Sequence, residues 1–237
     1  MKKRLDVLLF EKGLYNSREK SKQAIEMKRV RVNGQIVDKA SFLCEEDADF
    51  EVLPFEFVSR GGFKIQKAIE TFEIDLKDRV VLDIGASTGG FTDVCLKAGA
   101  KKVYCVDTGV GQLVDSIAKD SRVTNFEKTN FLTMKKLIDV DFVCIDVSFV
   151  SLKNFAKKLS EDYQTIEVVA LIKPQFECGI EYARKHKGVV KDEKVHKKIV
   201  ADIKATFENF GFVSKGVTTS PIKGGDGNTE FLIWLKK

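Results

Sequence analysis

Two aspartates bracket a glycine turn in this chain, and the ligand they could hold is the first question the sequence poses. The stretch LDIGASTGGF follows an apolar run and places glycines at Gly85, Gly89 and Gly90. Turns of this composition let a backbone close around a nucleotide-like ligand. A dinucleotide fingerprint requires Gly-x-Gly-x-x-Gly, yet Ser87 stands where the second glycine should be. Asp83, just before the turn, would oppose a pyrophosphate but suits a ligand with an ammonium and a sulfonium charge. Asp107 ends the next apolar run, where a carboxylate can accept both hydroxyls of a ribose. Ligands of open α/β sheets sit beyond the carboxyl ends of the strands, where both acids would lie. The bracketed turn therefore points to S-adenosylmethionine rather than NAD.

A second set of charges suggests what is methylated. Asp146 (in DFVCIDV), Lys173 (in LIKPQFE) and Glu230 (in GNTEFLIW) stand at the edges of otherwise apolar runs, and Lys64 opens a helical pattern in SRGGFKIQKAIE. Each alone reads as an ion pair or a strand-end charge; four at matching edges of one fold point to a site. Amino-group methylation of bases commonly uses [D/N]-P-P-[Y/F], where this chain has Asp146-Val147-Ser148-Phe149. Carbon methylation of pyrimidines needs a nucleophilic cysteine, typically in a Pro-Cys pair, which is absent. A hydroxyl acceptor remains. It is a poor nucleophile that needs a base or tight alignment, and a lysine serves as base only when burial or a second cation lowers its pKa.

These residues need a frame to position them. Strand-like runs occur at 80–84, 102–107, 141–147, 167–173, 212–219 and 230–235, with helical patterns near 63–73, 90–98, 151–160 and 192–209. Such alternation predicts a doubly wound, Rossmann-like α/β sheet. The last two runs are joined by SPIKGGDGN, too short for a crossover helix, so they should pair antiparallel and close an otherwise parallel sheet.

The first 58 residues differ in kind. Residues 1–34 carry ten Lys/Arg against four acids, and residues 35–58 carry Lys39 against seven. That segregation predicts a polarised module, although a solvated basic helix face would look the same by charge alone. Arg4 to Glu11 reads as a short helix stopped by Gly13, with Leu5, Leu8 and Leu9 inward. Asn16 or Ser17 can cap a second helix through Met27, with Ala24 and Ile25 inward. VRVNGQIV then reads as a hairpin turning at Asn33-Gly34.

Composition sets the outer bounds. With 237 residues, 43% hydrophobic, the chain can hold one typical domain and a small one. A net charge of +5 permits a polyanionic partner without requiring one. Five cysteines without a CxxC pair suit a reducing compartment, and Cys105 and Cys144 lie inside apolar runs as core residues. Two histidines, His186 and His196, make a zinc site an unexpected feature. The leading MKKRLDVLLFEKG is broken by Asp6 and Glu11 and is no signal peptide, and no segment approaches membrane-spanning length. A cytoplasmic protein is expected.

The residues from Val58 onward resemble the FtsJ-like ribose 2′-O-methyltransferases, whose Lys-Asp-Lys-Glu tetrad maps onto Lys64, Asp146, Lys173 and Glu230. RLDVLLFEKGLYNSREKSKQAI and VRVNG resemble the S4 RNA-binding domain. Together with VSRGG, DIGASTGGFTD, DVSF and KPQFE they make the whole chain similar to the TlyA family, S4-containing enzymes that 2′-O-methylate cytidines in ribosomal RNA. The resemblance implies domains at 1–58 and 59–237. It implies a cofactor set of Asp83, Gly85, Ser87 and Thr88 with Gly89, Gly90, Phe91, Asp107 and Asn130. It implies RNA contacts at Arg4, Arg18, Lys20, Lys22 and Arg60, with ribosomal RNA or subunits as partner and neither metal nor membrane.

Two departures from the family pattern stand out. Lys28 replaces the glycine expected before the S4 strand, and EYARKHKGVVKDE is unusually basic. Many relatives carry the label haemolysin, so a membrane-active cytolysin is a competing reading; it would need an amphipathic or spanning segment. A non-catalytic RNA-binding assembly factor is another, against which the intact tetrad argues.

Overall fold

The computed structural model describes residues 2–54, 56–137 and 139–237, in two compact units, Met1–Glu56 and Phe57–Lys237. The first unit contains β1 (Lys2–Arg4), α1 (Leu5–Glu11), α2 (Arg18–Glu26), β2 (Val30–Val32), β3 (Gln35–Ile36), β4 (Leu43–Glu45) and β5 (Phe50–Val52). Ser17 caps α2 by accepting from Lys20 N at 3.2 Å. Leu5, Leu8 and Leu9 pack with Ala24 and Ile25 in one small core. The β2–β3 hairpin turns at Asn33 (φ 50°) and Gly34 (φ 77°), the left-handed pair of a type I′ turn. The first helix begins one residue later than the pattern suggested, because Arg4 ends β1, which pairs antiparallel with β4.

Lys28 takes φ 57°, a left-handed conformation in which a side chain is strained and glycine is not. The turn into β2 demands it: Lys28 N donates to Ile25 O and Arg29 N to Ala24 O, both at 2.9 Å.

The second unit runs α3 (Gly61–Phe72), β6 (Val80–Ile84), α4 (Gly90–Lys97), β7 (Lys102–Val106), α5 (Asp115–Ala118), β8 (Val123–Phe126), β9 (Phe142–Ile145), α6 (Lys153–Asp162), β10 (Glu167–Ile172), α7 (Pro174–Glu177), α8 (Ile180–Lys185), α9 (Glu193–Asn209), β11 (Val213–Thr219) and β12 (Phe231–Lys236). Seven strands form one sheet in the order β11-β12-β10-β9-β6-β7-β8. Central strands buried on both faces read as continuous apolar runs, as parallel sheets require. Their alternation feeds two cores: Leu82, Ile84, Val143 and Ile145 pack under α6 and α9, while Val81, Cys105, Phe142 and Cys144 pack under α3 and α4.

β12 pairs antiparallel with β11, as the short connection predicted, and also with β10. It does not close an edge, however. It is inserted between β10 and β11, leaving β11 as the outer strand. The strand β8 and the short helices α5, α7 and α8 have no counterpart in the sequence reading. VTNF is a half-exposed edge strand paired only with β7, so it lacks an apolar run. Among the described residues no helix is long and apolar enough to cross a membrane.

Candidate active site

A cavity of about 470 Å³ opens over the carboxyl ends of β6, β7 and β9. Gly85 forms its floor at φ 83°, and a Cβ there would lie 2.5 Å from the Asp146 carbonyl oxygen. Only glycine lets the turn pass this close to the loop that follows β9. Gly89 (φ 93°) then starts α4, its open side filled by Leu113 and Ile117.

Asp107, at the end of β7, lines the cavity and shapes it. Its carboxylate accepts from Ser87 N at 2.8 Å and from Gly109 N at 2.7 Å, which pins the glycine turn to the next strand's loop. Of the sequence-derived cofactor residues, Gly85, Ser87, Asp107 and Asn130 lie on the cavity wall with Asp146. Asp83, Thr88, Gly89, Gly90 and Phe91 do not line it.

Asp83 is the main departure, because it was expected to face the ligand's positive charge. It is fully buried behind the turn, where Thr92 Oγ1 donates to Oδ2 at 2.6 Å and Oδ1 has no hydrogen-bond partner among the described residues. Burial pushes its pKa up to about 7, against the bond from Thr92.

At the cavity's edge the four tetrad residues converge. Lys173 Nζ lies 2.6 Å from Asp146 Oδ1 and donates to Ser148 Oγ at 3.0 Å. Lys64 Nζ lies 2.7 Å from Glu230 Oε2 and 3.9 Å from Asp146 Oδ2. Asp146 is thus shared by two ammonium groups, and the cluster balances two positive charges with two negative ones. Local structure explains each position: Lys64 opens α3, Asp146 follows β9, Lys173 caps α7 ahead of Pro174, and Glu230 precedes β12. Pro174 fits there because the first helical residue needs no N–H partner.

Sequence reasoning missed Gln112, Ser148 and Phe149, all on the cavity wall. Phe149 is 90% exposed, takes φ 65° and sets its ring 5.1 Å from that of Phe176. An exposed aromatic held in the left-handed region is a strained feature of the kind found at ligand sites. Its signal was present in Asp146-Val147-Ser148-Phe149, read only for the motif it was not.

The basic residues of the first unit behave unevenly. Arg4 Nε and Arg18 Nε grip the two oxygens of buried Asp6 at 2.9 and 2.8 Å. Although burial opposes ionisation, these guanidinium groups hold the Asp6 carboxyl below its ordinary range. Arg4 and Arg18 are therefore structural clamps as well as surface cations. Lys20 is exposed, and Lys22 makes only a 3.9 Å contact with Glu26. Arg60 is half-buried at the N-cap of α3, in the second unit. Among the described residues no group of three or more His, Cys, Asp or Glu could hold a metal ion.

An antiparallel strand inserted into an otherwise parallel sheet, with the ligand cavity at the β6–β7 turn, defines a Rossmann-like methyltransferase whose methyl donor is S-adenosylmethionine. The chain belongs to the FtsJ-like methyltransferase family, whose model matches residues 57–237, and an S4 domain model matches residues 3–49. It is 42% identical to a Bacillus subtilis protein named "Putative rRNA methyltransferase YqxC", over 99% of this chain and 85% of that one. It is 37% identical to the Mycobacterium tuberculosis 16S/23S rRNA (cytidine-2′-O)-methyltransferase TlyA, over 98% of this chain and 89% of that one. A solved structure described as "Putative hemolysin from Streptococcus thermophilus" is 39% identical with a TM-score of 0.76, covering 100% of this chain and 88% of that one.

Proposed function

We propose that this enzyme methylates the ribose 2′-hydroxyl of a cytidine in ribosomal RNA, residues 1–58 binding the RNA and residues 59–237 carrying the chemistry. The convergence of Lys64, Asp146, Lys173 and Glu230 at the cavity edge carries the reading. The rRNA methyltransferases among its relatives support the choice of substrate. Free rRNA or ribosomal subunits are the partner, which places the work in the cytoplasm.

The cavity residues fit the cofactor. Asp107 offers a carboxylate to ribose hydroxyls, and Gly85, Ser87 and Asn130 surround the remainder. Asp83, Thr88, Gly89, Gly90 and Phe91 hold the turn in shape from outside the cavity. Bound there, S-adenosylmethionine supplies an electrophilic methyl group on a sulfonium.

The Lys173 ammonium, fixed by Asp146 at 2.6 Å, orients the acceptor hydroxyl, and to take the hydroxyl's proton it first releases one of its own to solvent and acts as the neutral amine. Lys64 and Glu230 brace Asp146 from the α3 side. In the RNA-binding unit Lys20 and Lys22 contact phosphates, with Arg4 and Arg18 contributing the donors that Asp6 leaves free; Arg60 contacts RNA from the catalytic unit.

Mapping ribose methylation in ribosomal RNA with and without the protein tests the reading. At least one cytidine 2′-O-methyl group should vanish in its absence and return on incubation with purified enzyme and S-adenosylmethionine. An unchanged map, with no transfer in vitro, refutes it.

A further inference from the structure

The catalytic unit carries a basic surface that neither the cavity nor the tetrad uses. α8 has no buried residue, and its Ile180 is 70% exposed. A helix held by its own packing buries one face; this one is held by its ends. Ahead of it Glu177 accepts from Ser151 Oγ at 2.6 Å and from Leu152 N at 2.8 Å. Behind it Asn228, fully buried, donates to Gly188 O at 2.9 Å and accepts from Val190 N at 2.8 Å. The anchoring groups belong to the segment that follows Asp146 and the loop that leads to Glu230. The exposed helix is thus tied to the two segments that set the tetrad.

α8 and the turn after it present mainly cations and aromatic rings, with Glu181 as the acid of the helix. Arg184, Lys185 and Lys187 are exposed, and among the described residues none of them is in an ion pair. The Tyr182 and His186 rings stack at 4.2 Å. Lys191, Lys197 and Lys204, against the single acid Glu193, then line a groove of about 730 Å³ between α9 and the β11–β12 pair. Thr219 and Thr229 bring hydroxyls to the same groove, and Thr229 adjoins Glu230. Unpaired cations beside a stacked aromatic pair complement a phosphodiester chain with accessible bases.

We propose that α8 and the groove at the start of α9 form a second RNA-contact surface, which grips the phosphodiesters of the strand flanking the target nucleotide. The Tyr182–His186 pair stacks on a neighbouring base. This inference rests on the RNA methyltransferase reading and extends it from the S4 unit to the catalytic unit.

Unmodified ribosomal RNA transcribed in vitro would be titrated at several salt concentrations with wild-type protein, with Arg184→Ala/Lys185→Ala/Lys187→Ala and with Tyr182→Ala. Calorimetric binding of S-adenosylhomocysteine checks that each variant is folded. The triple variant should lower the slope of log affinity against log salt by roughly two, because each lost phosphate contact removes about 0.7. Tyr182→Ala should lose roughly tenfold in affinity with the slope unchanged. If the triple variant does not fold, Arg184→Ala and Lys185→Ala singly should each lower the slope by about 0.7.

An unaltered slope in a variant that still binds S-adenosylhomocysteine overturns this surface and leaves the proposed function standing. A wild-type protein that neither binds nor methylates the RNA removes both. A defect seen on intact ribosomal particles but not on naked RNA would assign α8 to a ribosomal protein, and so also overturn the inference.

Discussion

Lys64 Nζ lies 2.7 Å from Glu230 Oε2, joining the first helix of the catalytic unit to the approach of its last strand. The Glu230 side chain is only 2% exposed and that of Lys64 11%, so little water reaches either charge once the other is removed. Breaking a buried pair on one side costs about 3–5 kcal/mol, whereas replacing both partners with apolar groups can be neutral. Glu230→Ala should therefore destabilise the catalytic unit by that order in urea denaturation. Lys64→Met/Glu230→Leu should recover most of the loss yet remain inactive. Restored methyl transfer in the double variant would reduce the pair to a structural tie.

Lys173 gives the sharpest test of the chemistry. Lys173→Ala should lower kcat at least 100-fold, the low end for a positioned acid–base group, with S-adenosylhomocysteine and RNA affinities near wild type. Lys173→Arg should fail as well, since a guanidinium does not release its proton near neutral pH. An active Lys173→Arg enzyme would leave this residue the task of orientation alone.

Asp83 links the glycine turn to pH. Its folded-state pKa of about 7 lies above the ordinary carboxylate value, so the folded protein holds this proton more tightly than the unfolded chain. Stability from the group is complete below about pH 4 and is lost as pH rises towards about 7. Asp83→Asn, which cannot ionise, should gain on wild type across that window by up to about 4 kcal/mol. Thermal melts at pH 4.5 and pH 8, read as differences between the two proteins, measure it. A constant difference would mean that Asp83 titrates normally.

In the S4 unit, structure and RNA binding need separate variants. Lys20→Ala/Lys22→Ala should flatten the salt dependence of RNA binding and leave the melting temperature unchanged. Asp6→Ala should unfold the unit more readily, because Arg4 and Arg18 lose the carboxylate that both grip. Circular dichroism melts beside filter binding would separate the effects. A normal melt for Asp6→Ala would restore Arg4 and Arg18 to purely surface roles.

Lys28→Gly should stabilise the same unit by about 1 kcal/mol, since φ 57° is strained for lysine and free for glycine. Chemical denaturation of the full chain, monitored by a probe in the first unit, would show it. A loss of stability would mean that the Lys28 side chain makes a contact that outweighs the strain.

Much of this protein is legible because its signals are local. The runs around Val81, Val143 and Val169 announce strands buried on both faces, Ser17 marks a helix start, and Asn33-Gly34 marks a hairpin, each through the conformational preference of a few neighbours. Asp146, Lys173 and Glu230 stand out for a similar reason, as charges at the ends of apolar runs.

Pairing between distant segments is another matter, because it depends on which groups a neighbour leaves unsatisfied. Only the fold places β12 between β10 and β11, turns Asp83 behind the glycine loop onto Thr92, and brings Arg18 of α2 to Asp6 of α1. Only the fold holds α8 by its ends, through Glu177 and Asn228. The sequence by itself determined the apolar central strands, the hairpin turn and the charged strand ends, though not half-exposed β8, since φ/ψ preference and side-chain alternation act over a few residues. The tertiary structure alone decided which distant charges became partners, Lys64 with Glu230 and Lys173 with Asp146, since such a pair forms only where the fold brings the two segments within about 3 Å.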